Sequence, residues 1–357
     1  MTKYKKVGRE AMEKHLKVNA ILTKYNGDLY NAGPKAKIDI ENILSKEFDF
    51  RIEPFAFSDD RYNNILKRMF SLIKKTKTTK RLCKNIKIAI FQNAFTTKKF
   101  LLKKFKKKII IIHDIEGIRF QNEKSLEREM IFFKSCDYII AHNDRMKDFL
   151  VERGIEHQKI YKIELFDYLC NDKNHICENN EKIVKPIIAY TGNLNKANFI
   201  DQLQEDKMNF ILDLYGTKTK EIENKKIIYK GRFLPEELPN VLNEELGLVW
   251  DGNLDESDEF ESYKFYTKYN TPHKISCYIA AGLPVIVWKK SAIAEFVRKF
   301  DIGYEVSNLY EINNLDFSDY YKKKKNATSL SLKVRNGYFT KQVISQILNK
   351  INNDSLI

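Results

Sequence analysis

Short apolar runs alternate along this chain with amphipathic stretches of roughly 10 to 18 residues, the pattern of strand–helix units in a parallel sheet. In the first half the runs predict strands at 18–22, 48–57, 86–92, 109–113, 137–141 and 160–163. Between them, helical periodicity predicts helices at 34–46, 60–76, 97–107, 124–135 and 143–153, the last ending at Gly154 as a C-cap glycine would. Residues 167–184 (DYLCNDKNHICENNEKIV) are polar and aperiodic, and read as an interdomain linker. The pattern then restarts, with strands at 186–190, 210–215, 226–229, 247–250 and 284–288 and helices near 196–204, 235–244, 273–281 and 291–298. Residues 252–268 (GNLDESDEFESYKFYTK) read as a mobile acidic and aromatic loop.

The fold class expected is therefore α/β with two Rossmann-like domains, at 1–170 and 186–334, a linker at 171–185 and a final helical segment at 335–357. A chain of 357 residues exceeds the size at which one core keeps growing, which also favours two domains. Ligands of doubly wound sheets bind outside the carboxyl ends of the strands, so the chemistry is expected in a cleft between the two.

Composition narrows the class. The chain is 43% hydrophobic and 12% aromatic, far from a disordered composition. No apolar run reaches the roughly 18 to 20 residues that span a bilayer, and the first residues lack an apolar secretion segment. A cytoplasmic protein is expected. Cys83, Cys136, Cys170, Cys177 and Cys277 are scattered without a CxxC pair, which suggests neither a disulfide framework nor a zinc site. Residues 1–170 hold 37 Lys/Arg against 22 Asp/Glu, whereas residues 171–357 hold 26 of each. Residues 61–108 carry 17 Lys/Arg and no acid. That basic face is either a solvated surface or a contact for an anionic membrane or acceptor. No nucleic-acid motif accompanies the charge.

The segment 269–287 (YNTPHKISCYIAAGLPVIV) carries the clearest chemical signal. A turn feeds a helix that stops at Gly282, and free amides with a positive dipole end lie near Pro272–Lys274. Lys274 in that first turn either meets an anion such as a diphosphate or snorkels from an ordinary helix start. His113 and Asp114 follow the most apolar strand, IIIIHD, where either could remove a hydroxyl proton. They could equally be a buried structural histidine and a cap. Asn31, Gly33 and Lys35 form the expected loop between the first strand and the first helix. The GxGxxG fingerprint is missing, which argues against a nicotinamide dehydrogenase. No convincing metal motif is evident, and Asp255, Glu256 and Asp258 read as a solvated acidic loop.

Gly-Leu-Val-Trp-Asp-Gly (247–252), Asn-Thr-Pro-His-Lys (270–274) and Ala-Ala-Gly-Leu-Pro-Val-Ile (280–286) resemble bacterial glucosyltransferase 3-like enzymes, which include galactofuranosyltransferases. The resemblance runs on through residues 31–39, 113–119, 141–143, 166–168, 192–196 and 335–339. It implies a GT-B glycosyltransferase moving a hexose, glucose or galactofuranose, from a UDP-sugar to a glycan acceptor on a lipid carrier or glycoprotein. It implies donor contacts at Gly192, Asn193, Lys196, Tyr215, Gly216, Asn270, His273 and Lys274, with Lys196 and Lys274 on the diphosphate in place of a metal. Acceptor contacts fall on Asn31, Gly33 and Lys35, and catalysis on His113 and Asp114. The UDP-sugar is the substrate, and no cofactor, metal or nucleic acid is expected; a homo-oligomer and peripheral membrane contact fit this reading. The resemblance also implies that the final helix packs back on the first domain through Val343, Ile344, Ile347 and Leu348. The alternative is an inactive GT-B partner protein in a glycosylation complex, which would be expected to lose the two lysines.

Overall fold

A computed structural model describes residues 18–23, 32–54, 85–94, 105–171, 183–194, 197–217, 221–254 and 262–354. The first sheet contains β1 (Val18–Thr23), β2 (Arg51–Pro54), β3 (Ile86–Phe91), β4 (Lys107–Ile111), β5 (Tyr138–Ala141) and β6 (Ile160–Lys162). Its helices are α1 (Ala32–Phe48), α2 (Glu116–Arg119), α3 (Glu123–Lys134) and α4 (Asp144–Glu152). The second contains β7 (Ile187–Asn193), β8 (Ile211–Thr217), β9 (Ile227–Gly231), β10 (Leu246–Val249), β11 (Val285–Trp288) and β12 (Gly303–Val306). With it come α5 (Phe199–Gln202), α6 (Leu238–Val241), α7 (Ser262–Tyr266), α8 (His273–Ala280), α9 (Ile293–Phe300), α10 (Tyr320–Arg335) and α11 (Tyr338–Asn353).

Strand order is β2-β1-β3-β4-β5-β6 in one sheet and β12-β11-β10-β7-β8-β9 in the other. Every pairing is parallel. The order reverses between β1 and β3 and again between β10 and β7, and these two switch points are where an open parallel sheet leaves room for a ligand. Strands such as β5 (YIIA) and β11 (VIVW) are buried at every position, because helices cover both faces of a parallel sheet. Gly247 on β10 gives the ring of Tyr278 its place: a Cβ there would lie 2.3 Å from that ring.

Several boundaries differ from those expected. Helix α1 starts before residue 34 and runs on to Phe48, so Gly33 and Lys35 belong to its first turn and not to a loop. Asp49 takes a left-handed conformation, φ 54°, which ends the helix, so that among the described residues the strand begins at Arg51 and not at residue 48. Strand β4 begins at Lys107, where a helix was expected, and stops at Ile111, so His113 lies beyond it. The helices expected near 196–204 and 235–244 shrink to single turns. Residues 252–268 are not all loop, since α7 lies there and Tyr266 is buried. Strand β12 and helix α10 were not anticipated, because the first is four residues long and the second, YYKKKKNATSLSLKVR, has little apolar periodicity. The expected helix at 60–76 lies outside the described residues.

Residues 167 and 168, at the start of the expected linker, do not behave as linker either. Asp167 and Tyr168 are both 2% exposed. The Asp167 carboxylate accepts the amides of Phe339 (3.2 Å) and Thr340 (2.7 Å), the free first-turn donors of α11. Helix α11 buries Phe339, Val343, Ile344, Ile347 and Ile351 and packs on α1 and β6. One apolar cluster accordingly includes Ile40 and Leu44 of α1, Ile275 and Ile279 of α8 and Val343 of α11. Among the described residues no helix is long and apolar enough to cross a membrane.

Losing that cap should be measurable. Asp167→Ala is expected to lower the unfolding free energy by about 1–2 kcal/mol in urea titration. Burial pushes the Asp167 carboxyl up to about 7, against the pull of Thr340 and Phe339. A raised folded-state pKa adds stability below the unfolded value and loses it as pH rises through the folded one. The advantage of the wild type over Asp167→Asn should therefore shrink between pH 4 and about 7.

Candidate active site

The chain emerging from β3 and β4 places Gln92 and His113 side by side at the carboxyl edge of the first sheet. Gln92 Nε2 donates to Glu41 Oε1 (2.9 Å) and to the Lys37 carbonyl (3.2 Å), which fixes its amide orientation. Its Oε1 then accepts from His113 Nε2 at 2.8 Å. The proton of His113 is thereby assigned to Nε2, and Nδ1 keeps the lone pair. The ring stacks on Phe166 with centroids 5.2 Å apart. Burial holds His113 well below its ordinary pKa, helped by Lys37, so the imidazole is neutral near pH 7.

Asp114 sits beside it, ion-paired to Arg119 at 2.9 Å. Burial raises its pKa, opposed by Arg119 and by the hydroxyl of Tyr266. Glu129 accepts the amides of Glu116 and Gly117, both at 2.8 Å, and so holds the turn after Asp114 in place.

On the second sheet, Lys274 is not at a solvent-facing helix start as expected. Its side chain is 14% exposed and pairs with Asp251 at 2.7 Å. Nζ also donates to the Trp250 carbonyl (2.9 Å) and the Tyr190 hydroxyl (3.2 Å), so all three ammonium protons have acceptors. Burial alone would discharge this lysine, but Asp251 and the surrounding tyrosines hold its pKa above the ordinary value. Lys274 therefore locks the end of β10 to the start of α8, because the strand end brings Asp251 opposite the first turn of that helix.

Tyr215 also turns inward. It is 3% exposed, and its hydroxyl donates to Glu244 Oε1 at 2.6 Å, so its ring is core and not a platform for a base. Gly192 and Gly216 stand in register at the ends of β7 and β8 with φ of 132° and 145°. A Cβ on Gly216 would lie 1.8 Å from the Gly192 carbonyl, whereas one on Gly192 would meet nothing within 4 Å. The shelf above Gly192 and the exposed Asn193 is thus open. Lys196 and Asn31 lie outside the described residues.

The two sheets are stitched by the segment Asn270–Lys274. The Thr271 amide donates to His142 Nδ1 (2.9 Å), so His142 Nε2 carries the proton and donates it to the Ile112 carbonyl (2.9 Å). Asn143 Nδ2 donates to the Tyr269 carbonyl (2.9 Å) and to Thr271 Oγ1 (3.2 Å). His273 Nε2 reaches the Asp167 carbonyl (3.3 Å), and its ring stacks on Tyr168 at 5.0 Å. On the other face of this junction Lys35 lies over Tyr168 at 4.9 Å, pairs with Asp39 and donates to the Leu169 carbonyl (2.6 Å). Lys35 is 7% exposed and so is not displayed to an acceptor as expected; the helical turn directs it into the domain junction. Burial raises Asp39 to about 6, opposed mainly by Lys35.

Two buried atoms in the stitch, Asn270 Oδ1 and His273 Nδ1, have no partner among the described residues. Helix α8 has no side-chain cap at Pro272, and its amino end packs toward α1 through Tyr168, His273 and Lys35. Of the expected residues, the structure brings His113 and His273 onto the same Phe166 ring. Gln92, Glu41, Asp251, His142 and Tyr266 were assigned no role from sequence. Only Gln92 and Asp251 carried a usable signal, as polar residues directly after apolar strands. Among the described residues no group of three or more His, Cys, Asp or Glu side chains could hold a metal ion.

Two outcomes are expected of these contacts. Lys274→Ala leaves a half-buried Asp251 and the Trp250 carbonyl without their donor and should cost about 1–3 kcal/mol by thermal and urea unfolding, where a surface lysine would cost under about 0.5 kcal/mol. Burial lowers His142 to about 4 against the pull of Ile112. A depressed histidine keeps its stabilising share above its unfolded pKa and loses it on acidification, here from about 6.5 down to about 4. Relative to His142→Gln, the wild type should gain on the order of 3 kcal/mol across that window in unfolding titrations at stepped pH.

Residues 19–165 match the family model of the glucosyltransferase 3-like N-terminal domain, and residues 188–347 that of the C-terminal domain. Over 250 residues the chain is 29% identical to beta-1,6-galactofuranosyltransferase WbbI of Escherichia coli K12, covering 68% of this chain and 71% of that protein. Over 260 residues it is 26% identical to glucosyltransferase 3 of Streptococcus gordonii, covering 71% and 74%. Anabaena HepE, solved in complex with UDP and glucose, superposes with a TM-score of 0.57 at 12% identity, covering 95% of this chain and 100% of that one. That likeness concerns the fold, which is GT-B. With both domain models matched in order along one chain, the protein belongs to the glucosyltransferase 3-like family.

Proposed function

We propose that this chain transfers a hexosyl group, glucose or galactofuranose in type, from a UDP-sugar to a hydroxyl of a glycan acceptor. The observation that carries the reading is the junction of the two switch points. There the amino end of α8 is uncapped, and Asn270 Oδ1 and His273 Nδ1 are buried without partners among the described residues. Unpaired buried polar atoms are costly, and one that faces a site is satisfied when a ligand or water binds there. The relatives' names supply the substrate class: one is a galactofuranosyltransferase, another a glucosyltransferase.

In this reading the nucleotide lies over the open shelf at Gly192 and Asn193, and the diphosphate faces the amino end of α8, where the helix dipole and free amides favour an anion. Lys274 is committed to Asp251, so it acts by holding that helix end in place. The cation touching phosphate is assigned to Lys196. When the bond from the anomeric carbon to the β-phosphate oxygen breaks, the electron pair leaves with UDP, and preorganised positive potential stabilises it without reorganisation. The acceptor oxygen bonds to the anomeric carbon. Its proton passes to Asp114, with neutral His113 next to it as the second acceptor for that proton. The proposed transfer needs no metal, and the acceptor is a glycan on a lipid carrier or a glycoprotein.

Tryptophan emission tests this directly. Trp250 and Trp288 are the only two tryptophans in the chain, and the Trp250 carbonyl accepts from Lys274 at 2.9 Å. UDP should change their emission saturably, with the same Kd in EDTA as in magnesium. Loss of UDP binding on chelation would overturn metal independence, and no response to UDP, UDP-glucose or UDP-galactofuranose in either buffer would overturn the donor class.

A further inference from the structure

Strands β11 and β12 run side by side with Trp288 opposite Val306, and the Lys289 amide donates to the Val306 carbonyl at 2.9 Å. Parallel pairing therefore delivers Lys289 and Ser307 to the same carboxyl edge of the second sheet, the edge at which such sheets bind their ligands. An open groove of about 530 Å³ lies there, lined by Arg145, Lys268, Lys289, Lys290, Arg298 and Ser307. Five of these six residues are cations, and no acid is among the described lining residues.

The cations come from separate parts of the chain. Arg145 belongs to α4 of the first domain, Lys268 follows α7, Lys289 and Lys290 follow β11, and Arg298 lies in the last turn of α9. Arg145 occupies the first turn of its helix, where the dipole disfavours a cation. It is held there across the seam, with Nε donating to Glu295 at 2.8 Å and Nη1 to the Lys290 carbonyl at 2.6 Å. Arg298 pairs with Glu305, and the Lys268 ammonium lies 5.9 Å from the ring of Trp288. Lys289 is exposed, and its ammonium has no ion pair or hydrogen bond among the described residues. Cations of one sign gathered in a depression focus a positive field into it and concentrate anions there. The lining suits phosphate in particular. Guanidinium groups present planar forks that match its oxygens, lysines add point charges, and the Ser307 hydroxyl is a neutral donor.

We infer that this groove is a second anion site, separate from the donor shelf, that takes a phosphate or diphosphate group. In the strand order β11 lies two places from β7 and β12 three, an offset of about 10–15 Å at the spacing of neighbouring strands. A UDP-sugar lying over Gly192 with its diphosphate at α8 leaves the groove open to a second phosphoryl group. Two sources present that chemistry: the phosphate that joins an acceptor glycan to a carrier, and the headgroup of an anionic bilayer. The acceptor source rests on the function proposed above, whereas the site itself does not.

The experiment is calorimetric titration of the full-length protein with inorganic pyrophosphate in EDTA, with and without saturating UDP. Pyrophosphate is expected to bind the UDP-saturated protein saturably, and more weakly as salt is raised. Lys289→Glu and Arg145→Gln are each expected to weaken that binding about tenfold and to leave the UDP Kd unchanged. Lys289 is exposed, so its variant remains informative should Arg145→Gln disturb the seam. Pyrophosphate binding that disappears when UDP is saturating, or that neither substitution weakens, overturns the second site. If the protein binds no UDP at all, the donor reading fails on its own, and the titration without UDP still tests the groove through the same two variants. Sedimentation with phosphatidylglycerol vesicles, against phosphatidylcholine vesicles as the control, assigns the source. Phosphatidylglycerol binding that falls in Lys289→Glu supports the site and assigns it to the headgroup. Vesicle binding equal in wild type and variant, with pyrophosphate binding weakened, supports the site and assigns it to a phosphorylated acceptor.

Discussion

A buried carboxyl group must be met by hydrogen-bond partners or its burial is too costly for the fold to keep, and the placement of Asp167 is a consequence of that requirement. Its donors are the amides of Phe339 and Thr340, and these can reach it only if α11 begins beside it. The same residue's carbonyl meets His273, the Tyr168 amide donates to Val334 at 3.1 Å, and the Leu169 amide donates to Asp39 at 2.9 Å. Three consecutive residues thus tie the start of α8, the end of α10, the start of α11 and helix α1 to one another. The relative placement of the two switch points follows from those bonds.

Charge is the second constraint. The chain carries a formal net charge of +15, yet three of the lysines nearest the seam are inside the protein. Lys35 pairs with Asp39 and Tyr168, Lys274 with Asp251, and Lys264 lies between two indoles. Each is positioned by an anion, a carbonyl or a ring face, and each joins elements that are distant in sequence. His113, His142 and His273 are meanwhile held neutral by burial. The amino end of α8 adds to that seam backbone amides with no side-chain cap. Such groups need no reorganisation when charge develops on a leaving group.

Much of the fold was legible from the chain. Consecutive apolar positions at 88–91, 109–112, 138–141, 187–190, 246–249 and 285–288 can be satisfied only in strands covered on both faces. The helical stripe at Val343, Ile344 and Ile347 likewise had to be buried. Some short elements were illegible in existence or extent: β12, of four residues, was not anticipated, and α5 and α6, of four each, were expected as longer helices. Elements of that length are specified by the surface they pack on and not by their own periodicity.

Residue type and position along the chain determined that His113, Asp114, Asn270, His273 and Lys274 would lie at strand ends or helix starts facing the junction, because parallel strands all deliver their next residues to one edge of the sheet. They did not determine what each side chain would touch. Lys35, Lys274 and Tyr215 had the composition of ligand-binding residues, and the tertiary structure gave them Asp39, Asp251 and Glu244 as partners instead. Gln92, inconspicuous in sequence, became the group that orients His113, and Tyr266 became the acceptor of the Ile115 amide. The physical reason is one of range: periodicity and turn chemistry act over a few neighbouring residues, whereas a hydrogen bond or ion pair is decided by whichever group the packed chain brings within about 3 Å.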